Sequence, residues 1–289
     1  MMEPLYFKEQ LQAKEDMLAS TTNFLLQTQN DLERKNKELI LSNNDIFDSI
    51  NFASIIQNSL LPDVNILKIF FKDASYQVIQ QIGIGGDTVF IKNTNKGVVF
   101  GLLDSTGHGI PAALLSISSI LLLKELMTSM EIDNPKILLN LLNSRLHKTF
   151  NNKASIAHNE GAFFCYSSAN NSLIYSSAKG KAILLNKHGE IQELCSTKKS
   201  IGDNATTEFE LFELAIMTGD KLIIYSDGLT DQFGGEKNRK FSRAGLKTLL
   251  SKQYLKNASD LCKLIHHEFV TWKGENKQTD DVSFIIIEF

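Results

Sequence analysis

The chain has 289 residues, of which 43% are hydrophobic, enough for one large core or for one domain with an extension. Its formal net charge is -3 and neither half carries a basic block, so we expect no nucleic-acid partner. Three scattered cysteines, Cys165, Cys195 and Cys262, have neither disulfide nor zinc-ligand spacing, which is typical of a reducing cytoplasm. No segment is predicted to span a membrane.

The N-terminal part contains neither Gly nor Pro from residue 7 to residue 61 and predicts one long helix. One apolar series repeats every seven residues: Leu11, Leu18, Leu25, Leu32, Leu39, Ile46, Ala53 and Leu60. The companion position, four residues later, is mostly polar and includes Asn36 and Asn43. This pattern is typical of a weak parallel dimeric coiled coil whose register is set by buried amides.

The alternative for this helix is a single amphipathic helix packed on the globular part, but a docked face is normally wider than one leucine stripe. We therefore interpret residues 1–62 as a coiled-coil linker helix for homodimerisation and regulation, and residues 63–289 as a separate domain.

Beyond the helix, short apolar segments predict strands with helices inserted between them. The predicted strands are 76–82, 97–104, 162–167, 173–177, 182–186, 191–195, 209–214, 221–226 and 282–288, and the helices are 110–130, 135–150 and 258–272. The first of these helices is apolar nearly all round, as expected for a helix buried against a sheet. Mostly antiparallel strands with helices in blocks indicate an α+β layered fold.

Acidic residues recur where these strands begin or end. Asp104 ends an apolar strand, Asp87 follows two glycines, Asp227 ends another strand, and Asp280 and Asp281 precede the last one. Each acid alone is a common turn or helix cap, but recurrence at four strand ends favours convergence on one point. An all-oxygen set suits Mg²⁺ or Mn²⁺, and two such ions could activate a bridging water for phosphoester hydrolysis.

The motifs around these acids resemble a known family. The run Asp104–Ala112 looks like the Asp-x-Thr-Gly-His-Gly-Val-Pro stretch of the SpoIIE/RsbU-type serine/threonine phosphatases, a bacterial branch of the metal-dependent PPM superfamily. Three other runs are similar to the family's remaining motifs, in the same order: Gly85–Asp87, Tyr225–Gly235 and Trp272–Val282. The resemblance covers roughly residues 49–289.

This resemblance implies an α-β-β-α sandwich with a centre for two ions, Mn²⁺ or Mg²⁺, at one end of the sheets. By position, the catalytic side-chain ligands would be Asp87, Asp104, Asp227 and Asp280, with the backbone carbonyl of Ser105 as a further ligand and Asp281 as the alternative to Asp280. The resemblance also implies hydrolysis of phosphoserine or phosphothreonine on a partner protein, typically a STAS-type anti-sigma-factor antagonist.

The chain departs from the family pattern at a few positions. Glu160 and Gly161 stand where relatives often carry Asp-Gly, and no arginine is placed to clamp a phosphate. His108, in the Gly-His-Gly turn, could act as a general acid, but we interpret it as a structural residue that hydrogen-bonds groups around the metal site.

Two rival functions remain open. Gly85–Asp87 also resembles part of the Gly-Gly-Asp-Glu-Phe hairpin of diguanylate cyclases, but that family would not explain Asp227 or Asp280. The other rival is a catalytically weak phosphatase-like domain that acts as a phosphoprotein-binding or dimeric regulatory module. Retention of all four acids argues against it, because loss of one ligand is enough to inactivate such a site.

Overall fold

The computed structural model describes residues 3–150, 158–170, 172–204 and 206–289. Contacts divide the chain into two units, Met1–Phe52 and Ala53–Phe289. Helix α1 spans Glu3–Leu60, so it runs through the first unit and continues into the second, which confirms the predicted long N-terminal helix. The domain boundary that we place after residue 62 stays a prediction.

In the first unit the heptad side chains from Leu11 to Ile46 are 50% to 69% exposed. A regular apolar stripe of this kind is typical of a helix that pairs with another helix. The coiled-coil dimer itself stays a prediction, because the structure contains one chain.

The second unit is built from two five-stranded antiparallel sheets, in the orders β1-β12-β9-β6-β7 and β2-β3-β4-β5-β8, and a small β10-β11 hairpin. The strands are β1 Asp73–Ile79, β2 Thr88–Thr94, β3 Gly97–Ser105, β4 Asn159–Ser167, β5 Ser172–Ala178, β6 Lys181–Leu185, β7 Ile191–Glu193, β8 Phe212–Leu214, β9 Lys221–Tyr225, β10 Phe233–Gly234, β11 Arg239–Lys240 and β12 Val282–Glu288. The remaining helices are α2 Asn65–Lys68, α3 Ile110–Ser129, α4 Pro135–Phe150, α5 Asp227–Asp231, α6 Ser242–Lys252 and α7 Ala258–Lys273.

Side chains that follow one another along a strand point to opposite faces of its sheet, and the core therefore forms three layers. In β4, Phe164 points between the sheets, whereas its neighbour Phe163 packs with α3 and α4 on the outer face. In β12, Ile285 points between the sheets and Phe284 packs with α6 and α7. Successive strand residues face opposite sides, so each sheet can bury both of its faces. The result is an α-β-β-α sandwich, which confirms the predicted fold.

Among the described residues, only α3 is long and apolar enough to cross a membrane by length and composition, and half of its apolar window is buried within the domain. Leu123 and Leu126 of this helix lie in the core with β3 and α4 residues. The prediction of a helix packed against a sheet therefore accounts for its apolar sequence.

Candidate active site

Acidic residues from both sheets lie at one end of the sandwich. Asp104 is the penultimate residue of β3. Asp227 lies two residues after the end of β9, and Ser226 separates it from the strand. Asp87 immediately precedes β2, the hydrogen-bonded neighbour of β3, and Asp280 lies just before β12, the neighbour of β9. The antiparallel pairings therefore carry the predicted acids to a common edge.

The charges of these acids influence one another. Burial raises the pKa of Asp104 well above its ordinary value, and repulsion from three other acids adds to this shift: Asp87, Asp227 and Asp280. Such a group of carboxylates is stable in its charged form only when cations neutralise it.

Asp87 is the most deeply buried acid, with 1% of its surface exposed. The Ser283 hydroxyl donates a 2.6 Å hydrogen bond to Asp87 Oδ2, and the Gln80 amide donates to its backbone oxygen at 3.0 Å. Burial raises the pKa of Asp87 to about 7, with hydrogen bonds from Ser226 and Ser283 opposing the shift and repulsion from neighbouring acids adding to it.

The adjacent acids before β12 have different surroundings. Asp281 is 3% exposed and accepts backbone N–H bonds from Gln81 at 2.7 Å and Gly86 at 2.6 Å. A Cβ at Gly85 would overlap the Asp281 carboxylate, so only glycine allows this approach. Asp280 is more open and accepts from the Asp281 N–H at 2.8 Å. Burial raises the pKa of both.

Asp227 forms an ion pair with Lys181, whose Nζ lies 3.0 Å from Asp227 Oδ2. The lysine side chain is 16% exposed and the aspartate side chain 41%. Sequence reasoning missed Lys181; the available signal is a lysine at the start of an otherwise apolar strand, β6.

The two remaining predicted residues lie around the same acids. The backbone oxygen of Ser105 faces Gly86, where any Cβ would press against it. The Ser105 hydroxyl is buried without a hydrogen-bond partner in the described part of the chain. His108 is exposed, and its charge lowers the pKa of Asp280 and Asp281, so it lies beside them.

The donor chemistry fits a hard divalent cation, because the grouped acidic side chains offer only oxygen and outnumber the one lysine that pairs with them. Within residues 3–150, 158–170, 172–204 and 206–289, however, no three His, Cys, Asp or Glu side chains form a ready-made group that could hold one ion. Instead, Asp87, Asp281 and Asp227 face the protein partners described above.

Gln57, near the end of α1, contacts the loop that carries Asp87. It is 5% exposed, its amide donates to Gly85 O at 2.6 Å, and its oxygen accepts from Gly85 N at 3.2 Å. Gln57 belongs to the end of the helix that resembles the family's entry into the domain, but the sequence predicts no role for it at the site. The paired hydrogen bonds fix the glycine loop to the helix.

Two of the three cysteines are buried and are poorly suited to act as nucleophiles, whereas Cys195 is exposed. Cys165 and Cys262 are buried, and burial raises the pKa of the Cys165 thiol to about 11 and also raises that of Cys262. A buried thiol with a raised pKa is a poor nucleophile.

Comparison with known proteins agrees with this architecture. The family model of stage II sporulation protein E (SpoIIE) matches residues 94–289, which is more than half of the chain. The chain therefore belongs to the SpoIIE family. The matched residues include Asp104, Asp227 and Asp280, whereas Asp87 precedes them. No curated protein sequence is similar enough to count as a match.

Several solved structures share the fold. The SiaA PP2C domain of Pseudomonas aeruginosa is 20% identical, with a TM-score of 0.79, and the match covers 86% of this chain and 98% of that one. The RsbU and RsbW domains of Rv1364c from Mycobacterium tuberculosis are 17% identical, with a TM-score of 0.60 and coverage of 75% and 59%. RsbX in complex with magnesium is 15% identical, with a TM-score of 0.55 and coverage of 74% and 94%. These likenesses confirm the PPM-type sandwich.

Proposed function

We propose that this chain is a metal-dependent protein phosphatase that removes phosphate from phosphoserine or phosphothreonine on a partner protein. The observation that carries the proposal is the meeting of acids from both sheets at one edge, where burial, together with repulsion from Asp87, Asp227 and Asp280, raises the pKa of Asp104. Membership of a phosphatase family supports the same reaction class.

In this proposal the side chains of Asp87, Asp104, Asp227 and Asp280 and the carbonyl of Ser105 hold two ions, Mn²⁺ or Mg²⁺, with Asp281 as the alternative to Asp280. When bound, such ions supply an activated water and neutralise charge on the phosphoryl group. The magnesium complex of the fold relative RsbX supports this choice of metals.

The remaining residues orient the substrate. Gly107 and Gly109 have φ of 90° and 72°, which favours glycine at both positions. Gly107 is exposed, and a Cβ there would meet no neighbour within 4 Å, so the loop before α3 is open at this residue. Backbone N–H groups at this helix start can receive phosphoryl oxygens. Ser283 and Gln80 fix Asp87, and the backbone of Gly86 fixes Asp281.

The partner assignment draws on relatives. The fold neighbour from Mycobacterium tuberculosis joins RsbU and RsbW domains in one protein, which supports a partner-switching pathway and a STAS-type anti-sigma-factor antagonist as the substrate. We further propose a cytoplasmic homodimer formed through the heptad stripe of α1.

The test is hydrolysis of para-nitrophenyl phosphate and of a phosphoserine peptide by the full chain. We expect activity with Mn²⁺ or Mg²⁺, loss in EDTA, and recovery when Mn²⁺ is restored. Asp104→Asn and Asp227→Asn should each lower turnover by about 100-fold or more, because each removes one charge that holds the cations.

Asp231→Asn is the matched control, because Asp231 also lies in α5 but pairs on the surface with Lys240 at 2.8 Å. Full activity in EDTA would refute the proposal. Tight binding of a phosphoprotein without hydrolysis would favour the alternative, a regulatory module that retains the phosphatase fold.

A further inference from the structure

Lys181 is a cation placed among carboxylates. Its Nζ lies 3.0 Å from Asp227 Oδ2, and its charge also lowers the pKa of Asp104. Its side chain is only 16% exposed, so this ion pair is less screened by solvent than one on the open surface. Lys181 is therefore held between an acid of each sheet.

The turn before β6 fixes where Lys181 lies. Lys179 has a φ of 54°, a left-handed conformation that is unfavourable for a residue with a side chain. A Cβ at Gly180 would overlap the backbone of Gly161, so the turn also requires glycine at this position. In the sheet, Lys181 then pairs with Tyr225, two residues before Asp227. A constrained turn thus delivers the ammonium group to the candidate site.

The neighbouring lysine has a different partner. Lys179 Nζ lies 3.2 Å from Glu160 Oε1, and Glu160 stands opposite Asp104 in the β3-β4 register. A small cleft is lined by residues of this group, including Asp104, Glu160 and Lys181. Lys179 is therefore neutralised locally, and Lys181 is the cation that faces the acids of both sheets.

We propose that Lys181 binds the phosphoryl oxygens of the substrate, an inference that rests on the proposed phosphatase function. If Asp227 and Asp104 both ligate cations, the ammonium loses its carboxylate partners, and the phosphoryl group of an incoming phosphomonoester is an anion that can replace them. Its three N–H donors suit phosphate as a point charge. Lys181 thus takes the place of the phosphate-clamping arginine that the sequence lacks.

The experiment compares Lys181→Met, Lys181→Gln and Lys181→Arg with the wild-type full chain. Calorimetry would measure the Kd of Mn²⁺, then the Kd of inorganic phosphate on the Mn²⁺-saturated protein, and kinetics would give KM and kcat for a phosphoserine peptide. Lys247→Met is the control, because Lys247 pairs with Glu193 at 2.6 Å away from the acids.

We expect the two neutral variants to raise the Kd of phosphate and the KM by about 10- to 100-fold, the range for loss of a hydrogen bond to a charged group. Mn²⁺ affinity should stay the same or increase, because a competing cation has been removed. Lys181→Arg should keep most of the phosphate affinity, and Lys247→Met should behave like the wild type.

Unchanged phosphate affinity in a neutral variant that binds Mn²⁺ would overturn the inference and leave Lys181 as a counter-ion of Asp227. If both neutral variants failed to fold and Lys181→Arg folded, the charge of Lys181 would be required for folding. That result would also overturn the inference. A wild-type chain that neither binds Mn²⁺ nor hydrolyses phosphomonoesters refutes the proposed function itself, so the two failures are distinguishable.

Discussion

Asp280 and Asp281 are chain neighbours with opposite surroundings. Asp281 is buried and accepts two backbone N–H bonds from the loop before β2, whereas Asp280 is half-buried and accepts one from Asp281 itself. Two identical side chains that are adjacent in the chain therefore have different roles. One carboxylate fixes the loop that carries Asp87, and the other remains available for a ligand.

The largest expected effect follows from Asp280. Asp280→Asn should lower the Mn²⁺-dependent kcat/KM by about 100- to 1,000-fold, because a charge that holds the cation is lost. The folding stability of the metal-free protein should not fall, because the asparagine oxygen can still accept the Asp281 N–H and repulsion among the acids decreases. Steady-state kinetics and urea unfolding in EDTA check the two halves. Wild-type kinetics in this variant would show that Asp280 is not a ligand.

The pH dependence of stability tests whether the acids are as buried as the structure indicates. The pKa of Asp87 is raised from its ordinary value of 3.8 to about 7, so the folded state keeps a proton that the unfolded state loses between these values. The contribution of Asp87 to stability is therefore full below about pH 4 and is lost as pH rises to about 7. Its size is on the order of a few kcal/mol.

Urea unfolding in EDTA from pH 5 to 8 measures this effect as the difference between the wild type and Asp87→Asn. We expect stability of the wild type to fall relative to that of the variant as pH rises. With Mn²⁺ present the trend should reverse. The stability of the wild type should then rise relative to that of the variant as pH rises, because metal binding to deprotonated carboxylates strengthens with pH. Parallel curves in EDTA would mean that Asp87 is charged and solvated in the folded protein.

Asp281→Asn should lower the stability of the metal-free protein, whereas Asp280→Asn should not. This effect is smaller than the loss of activity expected for Asp280→Asn. Asparagine has one acceptor oxygen, so its NH₂ group would face the N–H of either Gln81 or Gly86. We expect loss of about 1–3 kcal/mol of metal-free stability. Urea unfolding beside Asp280→Asn measures the contrast. Equal stability of the two variants would show that Asp281 does not fix the loop.

The features of the site that could be predicted from the sequence are those with a local sequence pattern. Strands β3, β9 and β12 are apolar runs bounded by an acid or glycine, so their positions and the acids beside them could be predicted. Strand β2 was missed because only its first half is apolar and buried, and its second half, Lys92–Thr94, is polar. Helix α6 was missed because only Leu246 and Leu250 are buried.

The unpredicted part depends on contacts between distant segments. Gln57 and Gly85 meet although 28 residues separate them, and Lys181 reaches Asp227 through the pairing of β6 with β9. Which acid faces a protein partner and which stays open also depends on loop geometry, as Asp280 and Asp281 show. A local pattern can mark Lys181 as unusual in an apolar strand, but it cannot show which acid the lysine meets.

The smallest expected effect concerns regulation by α1. This helix continues from the exposed heptad stripe to Gln57, whose paired hydrogen bonds fix Gly85 beside the Asp281–Gly86 contact. A change in the register of a helix pair could thus reach the loop that carries Asp87. We propose a parallel homodimer in which two states of the helix pair set the activity.

Asn36→Ile with Asn43→Ile should tighten the proposed dimer, because amides that the coil would bury are replaced by apolar side chains. We expect a several-fold change in kcat, since a switch of this kind has a gap of only a few kcal/mol, and we expect Gln57→Leu to remove that response. Sedimentation measures the dimer, with Asn30→Ile, outside the heptad stripe, as the matched control.

A protein that begins at Asn44 should be monomeric. A monomeric full chain would refute the dimer, and equal rate constants in the truncated, double-isoleucine and wild-type proteins would show that α1 tethers the domain without controlling it.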